Sequence, residues 1–207
     1  MSSTTTAGRV RPRRAEVRDQ IVAAAREEFG GAGYAGVSVA QVARRAGFTK
    51  GAVYSNFGGK PELFAAAVHT YFTELVGGAV AETLAAADLD PGQPPSRALA
   101  ARLTQDVLGN SRWPSLMGEF RVLAATDPAL QQVYADLRTT QRDQLVEVLR
   151  RSTGQIRFRA GLDLEVAATL LLTCVHSLAV EHTVAPGVVP PALVESLFTH
   201  VLDGILA

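Results

Sequence analysis

Two lysines, Lys50 and Lys60, are the only lysines of the 207-residue chain, and both lie in one short segment. This segment, residues 46–64 (AGFTKGAVYSNFGGKPELF), also contains hydroxyl groups, an amide and four glycines, whereas its surroundings are rich in Ala, Leu and Val. Lysine reaches guanine acceptors and phosphate oxygens, and small side chains let a helix come close to base edges. These residue types indicate nucleic-acid binding.

Positive charge is concentrated at the front of the chain. Residues 1–60 hold ten of the 20 Lys and Arg residues but four of the 20 Asp and Glu residues, although the net charge is zero. A basic N-terminal region on an acidic remainder indicates that this region binds a polyanion. The alternative is that it is a solvated charged surface. Residues 1–12 are predicted to be a flexible basic arm, which either reaches the minor groove or stays in solvent.

Apolar spacing, with breaks at Gly and Pro, predicts an all-α fold of about nine helices. The first helix is expected to start at residue 13 and to end at the glycine cluster of residues 30–33. Residues 88–96, rich in proline, are predicted to be a linker. The other predicted helices span about residues 38–46, 49–57, 61–87, 97–109, 113–125, 128–152, 163–184 and 191–206.

Two short helices joined by a Gly-containing turn form a helix-turn-helix pattern at about residues 37–57. In the second of them, Val53 and Phe57 mark the buried side, so Gly51 and Ser55 point away from the core. This exposed side is predicted to read bases, with Lys50 aimed at guanine. The predicted DNA contacts are Ser38, Thr49, Lys50, Gly51, Ala52, Tyr54, Ser55 and Lys60.

Some of these contacts have an alternative role in the fold. Ser38 begins a capping-box pattern and Thr49 can cap the next helix, whether or not either also binds a phosphate. Tyr54 either donates its hydroxyl to DNA or packs its ring beside Phe57. Lys60 near a helix N-terminus is unfavourable to the helix dipole, which favours a phosphate partner for its charge.

Residues 18–64 closely resemble the DNA-binding domain of the TetR family of transcriptional regulators. Two positions depart from the family: Ser38 stands where Thr is usual and keeps the hydroxyl, whereas Asn56 stands where His is frequent, so a contact made by that His is not carried over. The matching positions are Ile21, Ala24, Ala25, Phe29, Gly33, Tyr34, Val42, Ala43, Ala46, Gly47, Gly51, Tyr54, Phe57, Lys60 and Leu63.

The resemblance implies two domains and a homodimer. Residues 13–74 would bind DNA, and residues 75–207 would bind an effector and dimerise. The two reading helices would enter successive major grooves of a roughly palindromic operator, and the last two helices, about 163–184 and 191–206, would pair between subunits. These helices carry apolar faces that suit a four-helix bundle, or alternatively the core of one subunit. The faces consist of Leu164, Ala168, Leu171, Val175 and Leu178, and of Leu193, Leu197, Val201 and Ile205.

The middle helices are expected to hold a small-molecule pocket, again by resemblance. Its predicted lining combines apolar side chains with Arg121, which would orient a polar or anionic group of the ligand. The alternative is that these residues are ordinary core and that Arg121 forms a salt bridge. The predicted ligand contacts are Trp113, Met117, Phe120, Arg121, Tyr134 and Cys174.

Other chemistries are not supported by the sequence. The GAGYAG segment at residues 31–36 matches a dinucleotide-binding pattern but follows a helix rather than a strand. Cys174 and His176 point about 200° apart on a helix, so they do not form a nucleophile and base. We therefore predict no enzyme and no cofactor. The longest apolar run, about residues 166–180, is shorter than a membrane span, and no secretory signal is evident, so a cytoplasmic protein is expected.

Together these patterns predict a sequence-specific DNA-binding transcription regulator. It would be a repressor that a small apolar or amphipathic ligand releases from its operator, with the long helix at residues 61–87 transmitting the change. The alternative is a DNA-binding protein of the same fold with an architectural or protein-controlled role and no small-molecule effector.

Overall fold

A computed structural model describes residues 13–89, 94–109, 112–154 and 156–207, and these residues form an all-α fold, as predicted. The predicted arm (residues 1–12) and residues 90–93 of the predicted linker lie outside the described residues. Within the described ranges the helices are α1 Arg14–Gly36, α2 Val39–Ala46, α3 Lys50–Phe57, α4 Lys60–Leu89, α5 Pro95–Gly109, α6 Arg112–Ala124, α7 Pro128–Arg151, α8 Leu164–Val184 and α9 Pro191–Ile205.

The helix α1 breaks within the glycine cluster at which we expected it to end, and a short helical segment follows up to Gly36. Gly30 and Gly31 remain helical, and the break comes only at Gly33, whose φ of 79° and ψ of 170° lie outside the helical region. Glycine tolerates such a positive φ, whereas other residues do so at a steric cost. A Cβ at Gly33 would also lie 3.1 Å from a carboxylate oxygen of Glu119 on α6. Contacts with α6, which sequence spacing does not reveal, therefore determine where α1 bends.

The caps of the helix-turn-helix are as predicted. The Ser38 hydroxyl accepts a hydrogen bond from the Gln41 amide at 3.3 Å, and the Gln41 side chain accepts one from the Ser38 amide at 2.8 Å. Thr49 Oγ1 accepts from the Ala52 amide at 3.2 Å. Gly47 follows α2 with a left-handed φ of 76°. These short-range bonds define the ends of α2 and α3.

Two apolar clusters form the core. The first joins α1–α4 to α6 and α7, and its centre is an aromatic group in which Phe29, Tyr34, Phe64 and Phe120 contact one another. The second joins α5 and α7 to α8 and α9. Because Phe120 belongs to α6, the first cluster extends across the domain boundary predicted at residue 74. The DNA-binding part and the rest of the chain thus share one packed core.

The apolar face predicted for α8 packs inside the subunit instead of forming a free surface. Ala168 and Leu171 are buried, because this side of α8 contacts neighbouring helices of the same chain. Large apolar side chains that remain exposed include Val166 and Leu170, which lie outside the predicted face of α8. They also include Leu193 and Leu197, which belong to the face predicted for α9.

By length and composition alone, α8 is apolar enough to cross a membrane. Within this fold it contacts α5, α6, α7 and α9, and core helices of soluble proteins have the same composition. The helix therefore does not by itself indicate a membrane protein.

Candidate DNA-binding surface and interior cavity

The outer face of α3 is exposed, and its inner face is fully packed. Val53 is 0% exposed and Phe57 is 8% exposed, so the buried side is the predicted one. Lys50 and Gly51 are exposed, and Tyr54 is 52% exposed and does not lie flat on the core. Ser38, Thr49 and Ser55 are also exposed, whereas Ala52 and Lys60 are partly buried. The predicted DNA contacts thus surround one accessible helix face.

Two polar side chains near the end of α3 bond to their own helix. The Ser55 hydroxyl donates to the Ala52 carbonyl at 3.0 Å, and the Asn56 amide donates to the same carbonyl at 2.7 Å. Ser55 is left with acceptor capacity toward a DNA base, because its only proton is used within the helix. Asn56 is partly buried and lies beside this face.

Two arginines of α1 hold the C-terminal end of α3, and sequence analysis did not assign them this role. Arg18 donates to the Asn56 carbonyl at 2.9 Å, and its guanidinium lies 4.4 Å from the centre of the Phe57 ring. Arg14 donates to the Ser55 carbonyl at 3.4 Å. Cations at a helix C-terminus stabilise its unpaired carbonyls. These arginines therefore help to fix the orientation of α3.

Lys60 contacts other residues of the protein and is also partly accessible to solvent. Its Nζ atom is 3.5 Å from the Ala35 carbonyl oxygen and 4.5 Å from the centre of the Tyr34 ring. Burial lowers the pKa of Lys60, and the nearby Glu119 carboxylate opposes this shift. The ammonium thus already has partners in the protein.

The helix α6 is bonded directly to the bend of α1. Glu119 accepts hydrogen bonds from the Tyr34 amide at 3.0 Å and from the Ala35 amide at 2.8 Å. Arg112 donates to the Gly31 carbonyl on the other side of Gly33. The bend frees backbone groups that α6 then binds, so a movement of α6 changes contacts made by α1.

A mainly apolar cavity of about 110 Å³ lies among α4, α5, α6, α7 and α8. One wall is formed by Tyr71, whose ring stacks on Trp113 at a centroid distance of 5.2 Å. Burial raises the pKa of Tyr71 to about 12, with a further contribution from Asp106, so its hydroxyl stays protonated. The cavity has the mainly apolar lining with few polar groups that is typical of small-molecule sites.

The predicted ligand contacts are distributed over several places. Trp113 and Met117 line the cavity. Arg121 and Tyr134 instead line a smaller space of about 80 Å³ on the other side of His176. Phe120 is completely buried in the aromatic core, and Cys174, whose pKa is raised by burial, packs against the second apolar cluster.

A polar group on the cavity wall was not predicted from the sequence. Arg138 Nη1 lies 2.8 Å from His176 Nδ1 and 3.3 Å from Gln141 Oε1, and both of these partners line the cavity. The pKa of His176 is lowered to about 3, mainly by burial and then by Arg138 and Arg121, so the ring is neutral. Arg138 and Gln141 lie three residues apart on α7, and His176 faces them from α8. Only the packing of α7 on α8 reveals this grouping.

Family comparisons agree with this architecture. The model described as "Bacterial regulatory proteins, tetR family" matches residues 21–67, and the model described as "BetI-type transcriptional repressor, C-terminal" matches residues 95–207. No curated protein sequence matches the chain.

Solved structures are similar over nearly the whole length. A transcriptional regulator from Rhodococcus sp. Rha1 is 32% identical, with a TM-score of 0.55, covering 91% of this chain and 97% of that chain. A TetR-family regulator from Cytophaga hutchinsonii shares the fold at 18% identity and a TM-score of 0.61, covering 95% and 98%. SmeT, the repressor of the Stenotrophomonas maltophilia multidrug efflux pump SmeDEF, shares the fold at 23% identity and a TM-score of 0.53. The match covers 92% of this chain and 90% of that chain. The chain belongs to the TetR family of bacterial transcriptional regulators.

Proposed function

We propose that this regulator is a cytoplasmic dimeric repressor that a small amphipathic molecule releases from its operator. The observation that carries the proposal is α6, which lines the cavity with Trp113 and Met117 and binds the bend of α1 through Arg112 and Glu119. If the ligand favours one position of α6 and the operator favours another, the binding of the two is thermodynamically coupled.

The exposed face of α3 supports sequence-specific DNA binding. Lys50 and the acceptor oxygen of Ser55 would contact base edges in the major groove, and Gly51 would let the helix backbone come close. Ser38, Thr49, Tyr54 and the amides at the starts of α2 and α3 would position the phosphates. Ala52 would contact a thymine methyl group.

Two helices provide a route from cavity to DNA. The helix α4 carries Phe64 in the aromatic core and Val68, Phe72 and Leu75 in the cavity wall. A ligand that pushes α4 and α6 apart would turn the packed DNA-binding part as a unit, because Phe64 and Phe120 share its core. In a dimer, reading helices must match half-sites about 34 Å apart, so a small rotation weakens contacts on both sides.

The exposed apolar side chains of α8 and α9 support dimerisation through these helices. Val166 and Leu170 on α8 and Leu193 and Leu197 on α9 are at least 39% exposed in the single subunit. Pairing of α8 and α9 with their copies would bury these side chains in an intermolecular four-helix bundle.

Operator selection followed by a ligand titration tests the proposal. Double-stranded DNA bound by the full chain is selected in vitro, and the operator dissociation constant is then measured with and without ligand. We expect at least a fivefold loss of affinity with ligand, and the operator must weaken ligand binding by the same factor. The architectural or partner-controlled alternative predicts no change in operator affinity for any ligand that binds the cavity.

The proposed movement has its own measurement. Spin labels on the Gln20→Cys, Cys174→Ser double variant report the separation of the two α1 helices in the dimer, because Gln20 is exposed on α1. We expect the separation or its spread to change with ligand. An identical distance distribution in both states would exclude the movement while leaving DNA binding in place.

A further inference from the structure

Arg138 fixes the orientation of two neighbouring side chains. A guanidinium only donates hydrogen bonds, so the atoms facing it, His176 Nδ1 at 2.8 Å and Gln141 Oε1 at 3.3 Å, must accept. The proton of the neutral His176 ring is therefore on Nε2, and the Gln141 amide nitrogen is turned away from Arg138. One cation thus leaves two N–H donors directed away from itself.

Both donors belong to residues that line the cavity, and neither has a partner among the described residues. His176 and Gln141 line it, and neither His176 Nε2 nor Gln141 Nε2 donates to any residue that the structure describes. Among the described residues, the fully buried side-chain atoms without a hydrogen-bond partner are His69 Nδ1 and Gln144 Oε1. The two Nε2 donors are not among them. Two unpartnered donors on a mainly apolar wall indicate a ligand that carries acceptors.

The charge behind the donors favours an anion. Arg138 is partly buried and has no carboxylate within salt-bridge distance among the described residues, and burial lowers its pKa. Of the acids that line the two spaces, Asp106 is paired with Arg102 at 2.9 Å, and Glu181 lies at the outer space together with Arg121. A carboxylate in an apolar site is costly without donors and a countercharge, and this wall supplies both.

The volume limits the size of the ligand. The cavity of about 110 Å³ is comparable to an apolar protein cavity of roughly 150 Å³ that holds one benzene ring. Its remaining wall is formed by apolar side chains such as Leu103, Val107 and Leu171, beside the stacked Tyr71 and Trp113. A single ring or a short acyl chain fits this volume.

We propose that the cavity binds a small monocarboxylic acid with an apolar body, whose carboxylate accepts hydrogen bonds from His176 and Gln141 while Arg138 supplies the countercharge. This inference rests on the proposed function, since it names the chemical class of the effector. Arg138 acts as a positioning residue that also provides charge, and the two neutral side chains make the contacts.

Matched acids and amides test the chemistry on the full-length dimer. Benzoate and hexanoate are compared with benzamide and hexanamide by calorimetric titration, because each pair has nearly the same shape and differs in charge. We expect the acids to bind at least about tenfold more tightly, as hydrogen bonds to a charged group are stronger. Amides that bind as tightly as the acids, or a failure of all four probes to bind, would overturn the proposal.

Variants locate the site. Arg138→Gln should lower benzoate affinity roughly tenfold to a hundredfold and leave benzamide affinity within about threefold. The control is Arg142→Gln on the same helix, because Arg142 pairs with the adjacent Asp143 away from the cavity, and this change should affect neither probe. Equal losses for benzoate and benzamide in Arg138→Gln contradict the assigned role.

A second variant covers the case in which Arg138→Gln does not fold. Gln141→Glu is nearly isosteric and places a carboxylate beside Arg138, so it should abolish preference for the acid without a loss of melting temperature. Retained acid preference in this variant contradicts the proposal.

Operator affinity, measured with the same four probes, distinguishes release of DNA by a ligand from binding of an acid in the cavity. Acids that bind without changing operator affinity would contradict ligand release but support the acid site. Amides that release DNA when acids do not would support ligand release and overturn the acid site.

Discussion

The exposed face of α3 and the interior cavity each lie beside a cation, Lys50 and Arg138 respectively, that has no carboxylate partner among the described residues. The chain builds these two regions in different ways. The α3 face comes from residues 38–60, with most of its polar groups in solvent. The cavity comes from five helices and is lined mainly by packed apolar side chains. Because the outward-facing Lys50 of α3 lies outside the core, changing it should alter DNA affinity without altering stability. A change at the cavity or its supports should alter stability as well.

The largest expected effect lies where the two regions meet. Phe120→Ala removes a fully buried ring that contacts Tyr34 and Phe64, with centroid distances of 4.9 Å to each. We expect it to lower the free energy of unfolding by about 3–5 kcal/mol, the usual result of deleting a buried aromatic ring. Chemical denaturation of the full-length chain measures this loss.

Val122→Ala is the matched control for the loss at Phe120. Val122 lies two residues further along α6 and is 67% exposed, so its removal should change stability by less than about 0.5 kcal/mol. If Phe120→Ala costs less than the control and instead alters ligand binding, then Phe120 is a ligand contact, as the sequence predicted, and the two regions are not joined by this core.

The second effect depends on pH and belongs to the cavity alone. The pKa of His176 is about 3 in the folded chain, well below its ordinary value of 6.5, because burial and Arg138 disfavour the charged ring. Between these two pH values the unfolded chain binds the additional proton, so acid destabilises the fold. From pH 7 to pH 5 we expect His176 to contribute a loss of about 2 kcal/mol, at about 1.4 kcal/mol per pH unit below 6.5.

His176→Gln should remove this part of the pH dependence, which is measured as the difference in unfolding free energy from the original chain at pH 7 and pH 5. The control is His200→Gln, because His200 is exposed and its Nδ1 lies 2.7 Å from the Ser196 carbonyl oxygen of its own helix. If both variants keep the full pH dependence, His176 is not held neutral by the cavity wall.

The same contrast explains what the sequence could predict. The caps at Ser38 and Thr49, the left-handed Gly47 and the buried side of α3 depend on residues within a few positions of each other. Local spacing is therefore sufficient, and all of these predictions were confirmed in the structure. The class of the fold followed from helical periodicity for the same reason.

The remaining features depend on contacts between distant residues. The bend at Gly33 depends on Glu119, 86 positions away, and the orientation of His176 depends on Arg138, 38 positions away. Similarly, the sequence assigns Arg18 only to a basic region, whereas the structure shows it bonded to the Asn56 carbonyl near the C-terminal end of α3. Periodicity identifies which residues are apolar, but not which helix covers them.

The third effect should appear in DNA binding and not in stability. Lys50 is exposed at the first turn of α3, so Lys50→Ala should weaken operator binding by about 1–3 kcal/mol and relax the preference at particular base pairs. Binding to a set of operator variants measures both, and the melting temperature should not change. An equal loss on all sequences would move Lys50 to the phosphate contacts, and a lower melting temperature would contradict the separation of the two regions.

The smallest effect concerns Lys60, whose position is intermediate between the two regions. If its ammonium binds a phosphate, Lys60→Ala should weaken binding about equally on all operators and reduce the slope of log affinity against log salt concentration by about 1. Its contact with the Tyr34 ring at 4.5 Å predicts a further stability loss of about 0.5–1 kcal/mol without DNA. The two readouts are independent, because salt dependence reports released counterions and melting reports the packed ring. A stability loss with an unchanged salt slope would assign Lys60 to the core, and the phosphate contacts of this face would then come from Ser38, Thr49, Tyr54 and backbone amides alone.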